Sequence, residues 1–148
     1  TILARRGGLD LSFLKGLPME EAKRWLRSIP GVGPKTAAVV LCFSLGLPAF
    51  PVDTHVYRVS RRLGLVGPKE TAEAAHGVLE GSVPPEKVFP FHIYLIMHGR
   101  RVCKAQGPRC PVCLLREGCP SRQDLPAGGR FSQRSLPAKP SPRRMKVI

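Results

Sequence analysis

The sequence predicts an all-α fold, and three observations lead to that prediction. Apolar residues recur at helical spacing through most of the first 120 residues, breaks rich in Gly and Pro separate these segments, and no stretch shows a convincing strand-like alternation. The chain has 148 residues, of which 43% are hydrophobic and 23% charged, as is typical of a globular protein. At this length a single domain is the usual expectation.

The first two predicted helices enclose a tight turn. Pro18 begins a helix that runs to about residue 27, because proline is well tolerated in the first turn. A turn over residues 28–33 follows. Pro34 then begins a second helix, which is apolar on nearly all sides from residue 36 to residue 45. A helix without a polar face is expected near the centre of the fold.

A third predicted helix begins after Asp53, a residue type that caps helix N-termini. Val56, Val59, Ser60 and Leu63 lie on one face of this helix, and its arginines lie on the other faces.

Two further helices complete the predicted body. The first runs from Lys69 to Gly81 and turns Ala72, Ala75 and Leu79 inward, and the second, the longest, covers residues 84–102.

The charge balance predicts a polyanionic partner. Lys and Arg total 24 against 10 Asp and Glu, a net charge of +14. This excess argues against an acidic carrier, and it favours nucleic acid first and an anionic membrane surface second. No segment has the ~18 apolar residues that a membrane span requires, so we expect neither a membrane span nor a secretory signal.

The two ends of the sequence differ from its body. The first eight residues resemble the last turns of a helix that ends at Gly, so we expect a further N-terminal region in the protein. Residues 121–148 carry seven basic residues, one acidic residue and four prolines, which predicts a disordered basic tail. Residues 1–120 keep 17 basic against 9 acidic residues, so the positive charge is not confined to the tail.

The turn at residues 28–36 has the helix-hairpin-helix pattern, Ile-Pro-Gly-Val-Gly-Pro between two helices. Glycines at 31 and 33 permit positive φ and leave room for an approaching backbone. The free N–H groups at the start of the next helix can bind a phosphate group. The turn therefore predicts DNA binding through the backbone without sequence readout, although an ordinary αα-turn remains the alternative.

Residues 26–37 together with residues 51–56, Pro-Val-Asp-Thr-His-Val, resemble the endonuclease III family of DNA glycosylases. The resemblance covers about residues 19–120. It implies a helix-hairpin-helix glycosylase fold, here a partial helical barrel followed by a C-terminal iron–sulfur loop. It also implies removal of damaged bases, typically oxidised pyrimidines, from duplex DNA, and cleavage of the strand by β-elimination at the abasic site.

Lys35 and Asp53 match the catalytic lysine and aspartate of that family. A deprotonated lysine amine can attack C1′ and form a Schiff base, which requires a pKa lowered by burial or by nearby positive charge. A carboxylate can stabilise the cationic sugar and move protons. The alternatives are a phosphate-binding Lys35 and an Asp53 that only caps its helix.

Four of the five cysteines predict a metal centre. Cys103, Cys110, Cys113 and Cys119 form a C-x6-C-x2-C-x5-C run, which favours a tetrahedral metal site or an iron–sulfur cluster. The spacing is that of the [4Fe–4S] motif of the resembling family, with zinc as the alternative. Cys42 lies in an apolar helix and is expected to pack as a small hydrophobe.

The predicted DNA contacts lie at the hairpin and in the basic loop between the first two cluster cysteines. They are Gly31, Val32, Gly33, Lys35, Thr36, Lys104 and Arg109.

The sequence thus predicts three parts: a glycosylase domain over 1–102, a cluster loop over 103–120 and a tail over 121–148. The expected partner is double-stranded DNA with damaged bases or abasic sites, bound by a monomer inside the cell, in the cytoplasm or at the nucleoid. Three alternatives stay open. They are a monofunctional glycosylase in which Asp53 activates water, a non-catalytic DNA-binding module, and a zinc-dependent regulator.

Overall fold

The structure is a computed structural model that describes residue 8 and residues 10–122. Over these residues the chain forms α-helices joined by short turns and no β-strand, which confirms the all-α prediction. The α-helices are α1 (Met19–Arg27), α2 (Pro34–Val39), α3 (Thr54–Arg62), α4 (Ala74–Ser82) and α5 (Val88–Arg101). Two sequence predictions fall outside the described residues. One is the basic tail apart from its first two residues, and the other is most of the helix end predicted for the first eight residues.

Helices α1 and α2 confirm the predicted hairpin. Pro18 caps α1, and Pro34 is the first residue of α2. After Val39 the helix continues as a π-helical segment over Val40–Ser44, in which the N–H of Leu45 reaches the carbonyl of Val40 at 3.3 Å. The predicted helix is therefore present but widens in its second half.

The start of α4 differs from the prediction. The helix begins at Ala74 rather than Lys69, and Ala72, predicted to face inward, is exposed. The reason is Thr71, whose hydroxyl oxygen accepts the N–H of Ala74 at 3.1 Å and so ends the preceding turn. Ala75 and Leu79 are buried as predicted.

The last predicted helix is also present, with a small change at its start. A 3-10 turn over Pro85–Lys87 leads into α5, which ends at Arg101. None of the helices in the described region is long and apolar enough to cross a membrane.

Two hydrophobic clusters hold these helices together. One lies under the hairpin. Its buried residues come from the 3-10 turn Ser12–Gly16, from α1 and α2, and from the π-helical segment and the link after it, namely Leu14, Ala22, Leu26, Ala37, Ala38, Leu41 and Ala49. The other joins α3, α4 and α5 around Cys42, Phe50, Val52, Val56, Val59, Val66, Ala75, Leu79, Val88 and Leu95. The π-helical segment contributes to both clusters, through Leu41 and Cys42, and so does the link before Asp53, through Ala49 and Phe50.

Gly99 lets α3 and α5 approach closely. A Cβ added at Gly99 would lie 3.0 Å from Cβ of His55 and 3.2 Å from Cγ2 of Val59. Any larger residue would therefore push the two helices apart, since packed interiors do not absorb an extra methyl without strain. This contact fixes the helix that begins at Asp53 against the helix that leads into the cysteine run.

Glu80 of α4 connects the two clusters through hydrogen bonds. Its Oε1 accepts the N–H of Phe50 at 2.8 Å, and its Oε2 accepts a hydrogen bond from Lys23 of α1. Burial lowers the pKa of the Lys23 ammonium, but hydrogen bonds to Glu20 and Glu80 outweigh this and raise it above its ordinary value. The carboxylate thus holds α1 and the link before Asp53 in one arrangement.

Candidate active site and cysteine centre

The hairpin turn holds its shape through one glycine in the left-handed region. Gly31 has φ of 82°, which only glycine adopts without strain. Gly33 has φ of −88° and ψ of 178°, so the positive φ allowed at both glycines is used at only one. No neighbour lies within 4 Å of a Cβ added at either position. The turn therefore presents an open backbone surface.

Lys35 is the second residue of α2, directly after the turn. Its side chain is exposed, so it is not buried against the apolar part of its helix. The N–H groups of Lys35 and Thr36 lie in the first helical turn, where backbone donors have no partner within the helix. Lys35 is therefore next to the backbone N–H groups that were predicted from the sequence to bind a phosphate.

Asp53 caps α3, as predicted. Its Oδ1 accepts the N–H of Val56 at 2.7 Å, and the side chain is half-buried. Only one carboxylate oxygen is used in this bond, so the other remains for chemistry at the helix N-terminus. The interpretation that one residue serves as both cap and catalytic group is compatible with this geometry.

His92 of α5 lies against the link that leads to Asp53. The imidazole is buried and packs edge-to-face on Phe50 with ring centres 5.9 Å apart. Burial is the largest influence on its pKa and lowers it below the ordinary value, and the charge of Lys35 adds to this. A hydrogen bond to the Pro51 backbone and the charge of Asp53 oppose the shift. The charges of Lys35 and Asp53 therefore shift the pKa of this ring in opposite directions.

The four predicted cluster cysteines line one cavity after α5. Its wall also includes Arg62, Leu63, His98, Val102, Pro108, Arg109, Arg116, Ser121 and Arg122. All four thiols are free, with no disulfide between them. Among the described residues, no group of three His, Cys, Asp or Glu side chains is arranged to hold a metal ion.

Two arginines of α3 hold the first of these cysteines. Arg62 donates to Sγ of Cys103 at 3.3 Å and to the Lys104 carbonyl at 2.7 Å. Arg58 donates to the carbonyl oxygens of Gly99 at 2.9 Å and of Cys103 at 3.2 Å. The sequence predicted only that these side chains lie away from the buried face of the helix. Their separation by four residues, which puts both on one side of the helix, was the signal that could have identified them.

The basic loop between Cys103 and Cys110 is fixed at both ends. Arg62 also donates to the Ala105 carbonyl at 3.1 Å, and the N–H of Arg109 bonds to the Val102 carbonyl at 2.9 Å. The side chains of Lys104 and Arg109 are exposed. The backbone of the loop is thus anchored while its basic groups remain accessible.

The remaining sequence predictions concern packing. Cys42 is buried in the larger cluster, which confirms its prediction as a small hydrophobe, and burial raises the pKa of its thiol. Trp25 packs on the hairpin cluster and contacts Phe13 edge-to-face at 5.0 Å.

Comparison with known proteins gives consistent matches over most of the chain. The chain is 47% identical over 94 residues to endonuclease III of Bacillus subtilis (strain 168), an alignment that covers 64% of this chain and 43% of that protein. It is 38% identical over 105 residues to endonuclease III of Escherichia coli (strain K12), which covers 71% of this chain and 49% of that protein. No protein-family model matches.

Solved structures give the same result for the fold. A non-covalent endonuclease III–DNA complex matches with a TM-score of 0.67 and 36% identity, over 81% of this chain and 52% of that chain. A trapped covalent endonuclease III–DNA intermediate also matches with a TM-score of 0.67, over 53% of its length. The chain spans about half the length of the curated relatives that it matches. Over the region that these alignments cover, the chain belongs to the endonuclease III family.

Proposed function

We propose that this protein acts in base-excision repair as a DNA glycosylase with abasic-site lyase activity. Its substrates would be damaged bases, in particular oxidised pyrimidines, in duplex DNA. The observation that carries the proposal is that the two residues matching the family's catalytic pair stand at helix starts: Lys35 is exposed in the first turn of α2, and Asp53 is half-buried and caps α3. Membership of the endonuclease III family supports the same activity.

In the proposed reaction Lys35 is the nucleophile. Its Nζ, once deprotonated, attacks C1′ of the damaged nucleotide, and the bond from C1′ to the base breaks with the electron pair leaving on the base. A proton transferred to the departing base completes its release. The nitrogen lone pair then forms the C1′=N double bond as the C1′–O4′ bond breaks, with its electron pair and a proton going to O4′. The resulting protonated Schiff base acidifies the C2′ proton. Loss of that proton expels the 3′ phosphate and nicks the strand, and water then hydrolyses the imine to free Lys35.

Asp53 would assist this reaction without leaving its cap. A half-buried carboxylate at a helix start is held in place by its bond to the Val56 N–H, so it needs no reorganisation as positive charge develops on the sugar. It can also accept the proton that Lys35 loses.

The four cavity cysteines would hold a [4Fe–4S] cluster. The donor set fits because four free thiols line one cavity, and four cysteine thiolates are the ligands of such a cluster. A bound cluster would supply cross-links between Cys103, Cys110, Cys113 and Cys119. Zinc is the less well supported occupant. Residues 103–120 would then form a cluster loop after the glycosylase domain of residues 1–102.

DNA would bind through two backbone-contacting surfaces. The first is the hairpin, through the open backbone at Gly31, Val32 and Gly33 with Lys35 and Thr36 beside it. The second is the anchored loop with exposed Lys104 and Arg109. Both present donors to phosphates without reading bases, which suits an enzyme that must scan any sequence.

The proposal is tested by product analysis on a duplex that carries one thymine glycol, an oxidised pyrimidine. We expect the strand to be nicked 3′ to the lesion, and both base loss and nicking to fall when Lys35→Gln replaces the nucleophile. Intact strands that break only after alkali would indicate instead a monofunctional glycosylase using Asp53 and water. Binding without any base loss would indicate a non-catalytic module, and a protein with zinc in place of iron would favour the regulator.

A further inference from the structure

His98, in the last turn of α5, lies in the wall of the cavity that the four cysteines line. Its side chain is half-buried. Its Nε2 lies 3.7 Å from Sγ of Cys113, a distance at which an N–H group can bond to a sulfur. The two residues are 15 positions apart, so this contact joins the end of α5 to the middle of the cysteine run.

The backbone of His98 holds a second of the four cysteines. Its carbonyl oxygen accepts the N–H of Val102 at 2.9 Å and the N–H of Cys103 at 2.8 Å. These bonds satisfy a carbonyl at the end of α5, where helical carbonyls have no partner within the helix. The ring contact is separate from this helix end, because it reaches Cys113 in a later part of the chain. One residue therefore contacts two of the four cysteines.

The helix that carries the His98 ring is fixed against α3. At the next residue, Gly99, an added Cβ would lie 3.0 Å from Cβ of His55, so the two helices are in close contact at this point. From α3, Arg62 donates to Sγ of Cys103 at 3.3 Å. Nitrogen atoms from two helices that are packed together thus reach two different sulfurs of the cavity.

A bound metal would fix the direction of the contact between His98 and Cys113. A thiol loses its proton when it binds a metal, so the Cys113 sulfur would then only accept a hydrogen bond. The ring can donate from Nε2 both as the imidazolium and as the neutral tautomer that carries its proton there. Hydrogen bonds to the sulfurs are among the factors that set the reduction potential of an iron–sulfur cluster. A donor at the sulfur favours the reduced state, because that state carries more negative charge.

We propose that His98 donates a hydrogen bond from Nε2 to the Cys113 thiolate when the four cysteines hold a [4Fe–4S] cluster. This bond raises the reduction potential of the cluster and slows its loss. The inference rests on the cluster proposed above, and it makes His98 a positioning residue beside the four ligands. It does not involve Lys35 or Asp53.

The test compares the purified wild-type protein with His98→Phe and His98→Gln. Phenylalanine keeps a planar ring without an N–H, whereas glutamine keeps a side-chain N–H donor. Tyr94→Phe is the matched control, because it also removes a donor from an aromatic ring of α5, at a position that is 66% exposed. Voltammetry measures the reduction potential of the cluster, and the decay of its visible absorbance measures iron loss to a chelator.

We expect His98→Phe to lower the reduction potential and to lose iron about 10-fold faster. His98→Gln should stay close to wild type in both quantities, and Tyr94→Phe should change neither. If His98→Phe does not retain a cluster at all, a wild-type potential in His98→Gln still supports the hydrogen bond.

An unchanged potential in His98→Phe would overturn the proposal, and equal shifts in His98→Phe and His98→Gln would do so as well. Loss of the cluster from both variants would also overturn it, since the imidazole would then act as a ligand or through packing. A wild-type protein without iron and sulfide would overturn the cluster and this inference together. Nicking of the thymine glycol duplex by the same sample reports separately on the proposed function.

Discussion

Arg62 donates a hydrogen bond to Sγ of Cys103 at 3.3 Å, so the helix that begins at the proposed catalytic Asp53 ends on the first cysteine of the proposed cluster. The same arginine bonds to the carbonyl of Lys104. One helix of nine residues therefore connects the proposed catalytic carboxylate with the loop that we propose contacts DNA. A rearrangement of the cysteine centre would therefore displace Asp53, because this helix connects the two.

Replacement of Arg62 by Gln tests the connection. The loss of charge-assisted bonds to the Cys103 segment should destabilise the protein by about 2 kcal/mol and loosen the cysteine centre. Iron and sulfide per chain should fall, and iron loss to a chelator should speed up. Arg61→Gln is the control, since Arg61 lies on the exposed face and bonds to the Pro68 carbonyl. Equal iron retention in both variants would contradict the role assigned to Arg62.

Two substitutions of Asp53 separate its capping of α3 from its proposed role in the reaction. Asn caps helices as well as Asp does, so Asp53→Asn should keep the free energy of unfolding nearly unchanged, whereas Asp53→Ala should lower it by about 1 kcal/mol. Both variants should lose most of the base-removal activity, because neither carries a carboxylate. Urea unfolding and a single-turnover assay measure the two quantities. An Asp53→Asn protein with full activity would reduce Asp53 to a cap.

Glu80 should matter for stability more than its place outside the site suggests. Glu80→Ala leaves the Phe50 N–H and the Lys23 ammonium without their shared acceptor, and we expect a loss of about 2 kcal/mol. Glu73→Ala is the matched control in the same region, because its ion pair with Arg27 is exposed and should contribute only about 0–1 kcal/mol. Chemical denaturation compares the two, and equal losses would argue against the bridging role.

His92 should make stability depend on pH below neutrality. Burial lowers the pKa of its imidazole, with the charge of Lys35 adding to this and the Pro51 bond and Asp53 opposing it. The unfolded chain, with an ordinary histidine pKa of about 6.5, then binds more protons than the folded chain. Stability due to this residue is therefore complete above about pH 6.5 and falls as the pH drops toward the folded pKa.

The comparison is the free energy of unfolding of wild type and His92→Gln between about pH 7.5 and pH 5. The variant should lose less stability on acidification than the wild type does. His76, whose pKa is also lowered by burial, remains in both proteins and cancels in the difference. Parallel curves would show that His92 does not contribute.

Sequence patterns predicted the parts of this protein that depend on local chemistry. The cap at Asp53, the helix start at Pro34 and the all-α fold follow from propensities that act within a few residues, and the structure confirms them. The start of α4 was predicted five residues early, because the Thr71 hydroxyl competes with the helix for the Ala74 N–H. Such a competition is decided by geometry, and hydrophobic periodicity does not detect it.

The features that sequence analysis missed all depend on contacts between distant segments. Arg62 bonds to Cys103, which lies 41 positions later in the chain. His92 comes close to the link before Asp53 only because α5 packs on that link. The exposure of Lys35 likewise depends on how α2 lies on its neighbours. Composition and spacing identified the residue types of the site, whereas tertiary packing decides which other side chains surround them.

The most direct measurement of the central claim is covalent trapping on DNA. The protein is incubated with a duplex that carries one abasic site, borohydride is added, and covalent protein–DNA product is separated on a denaturing gel. Reduction of a Schiff base between Lys35 and C1′ should give a trapped band that is present with Lys15→Gln and absent with Lys35→Gln. No band from wild-type protein with intact iron content, or a band that persists in Lys35→Gln, would contradict Lys35 as the nucleophile.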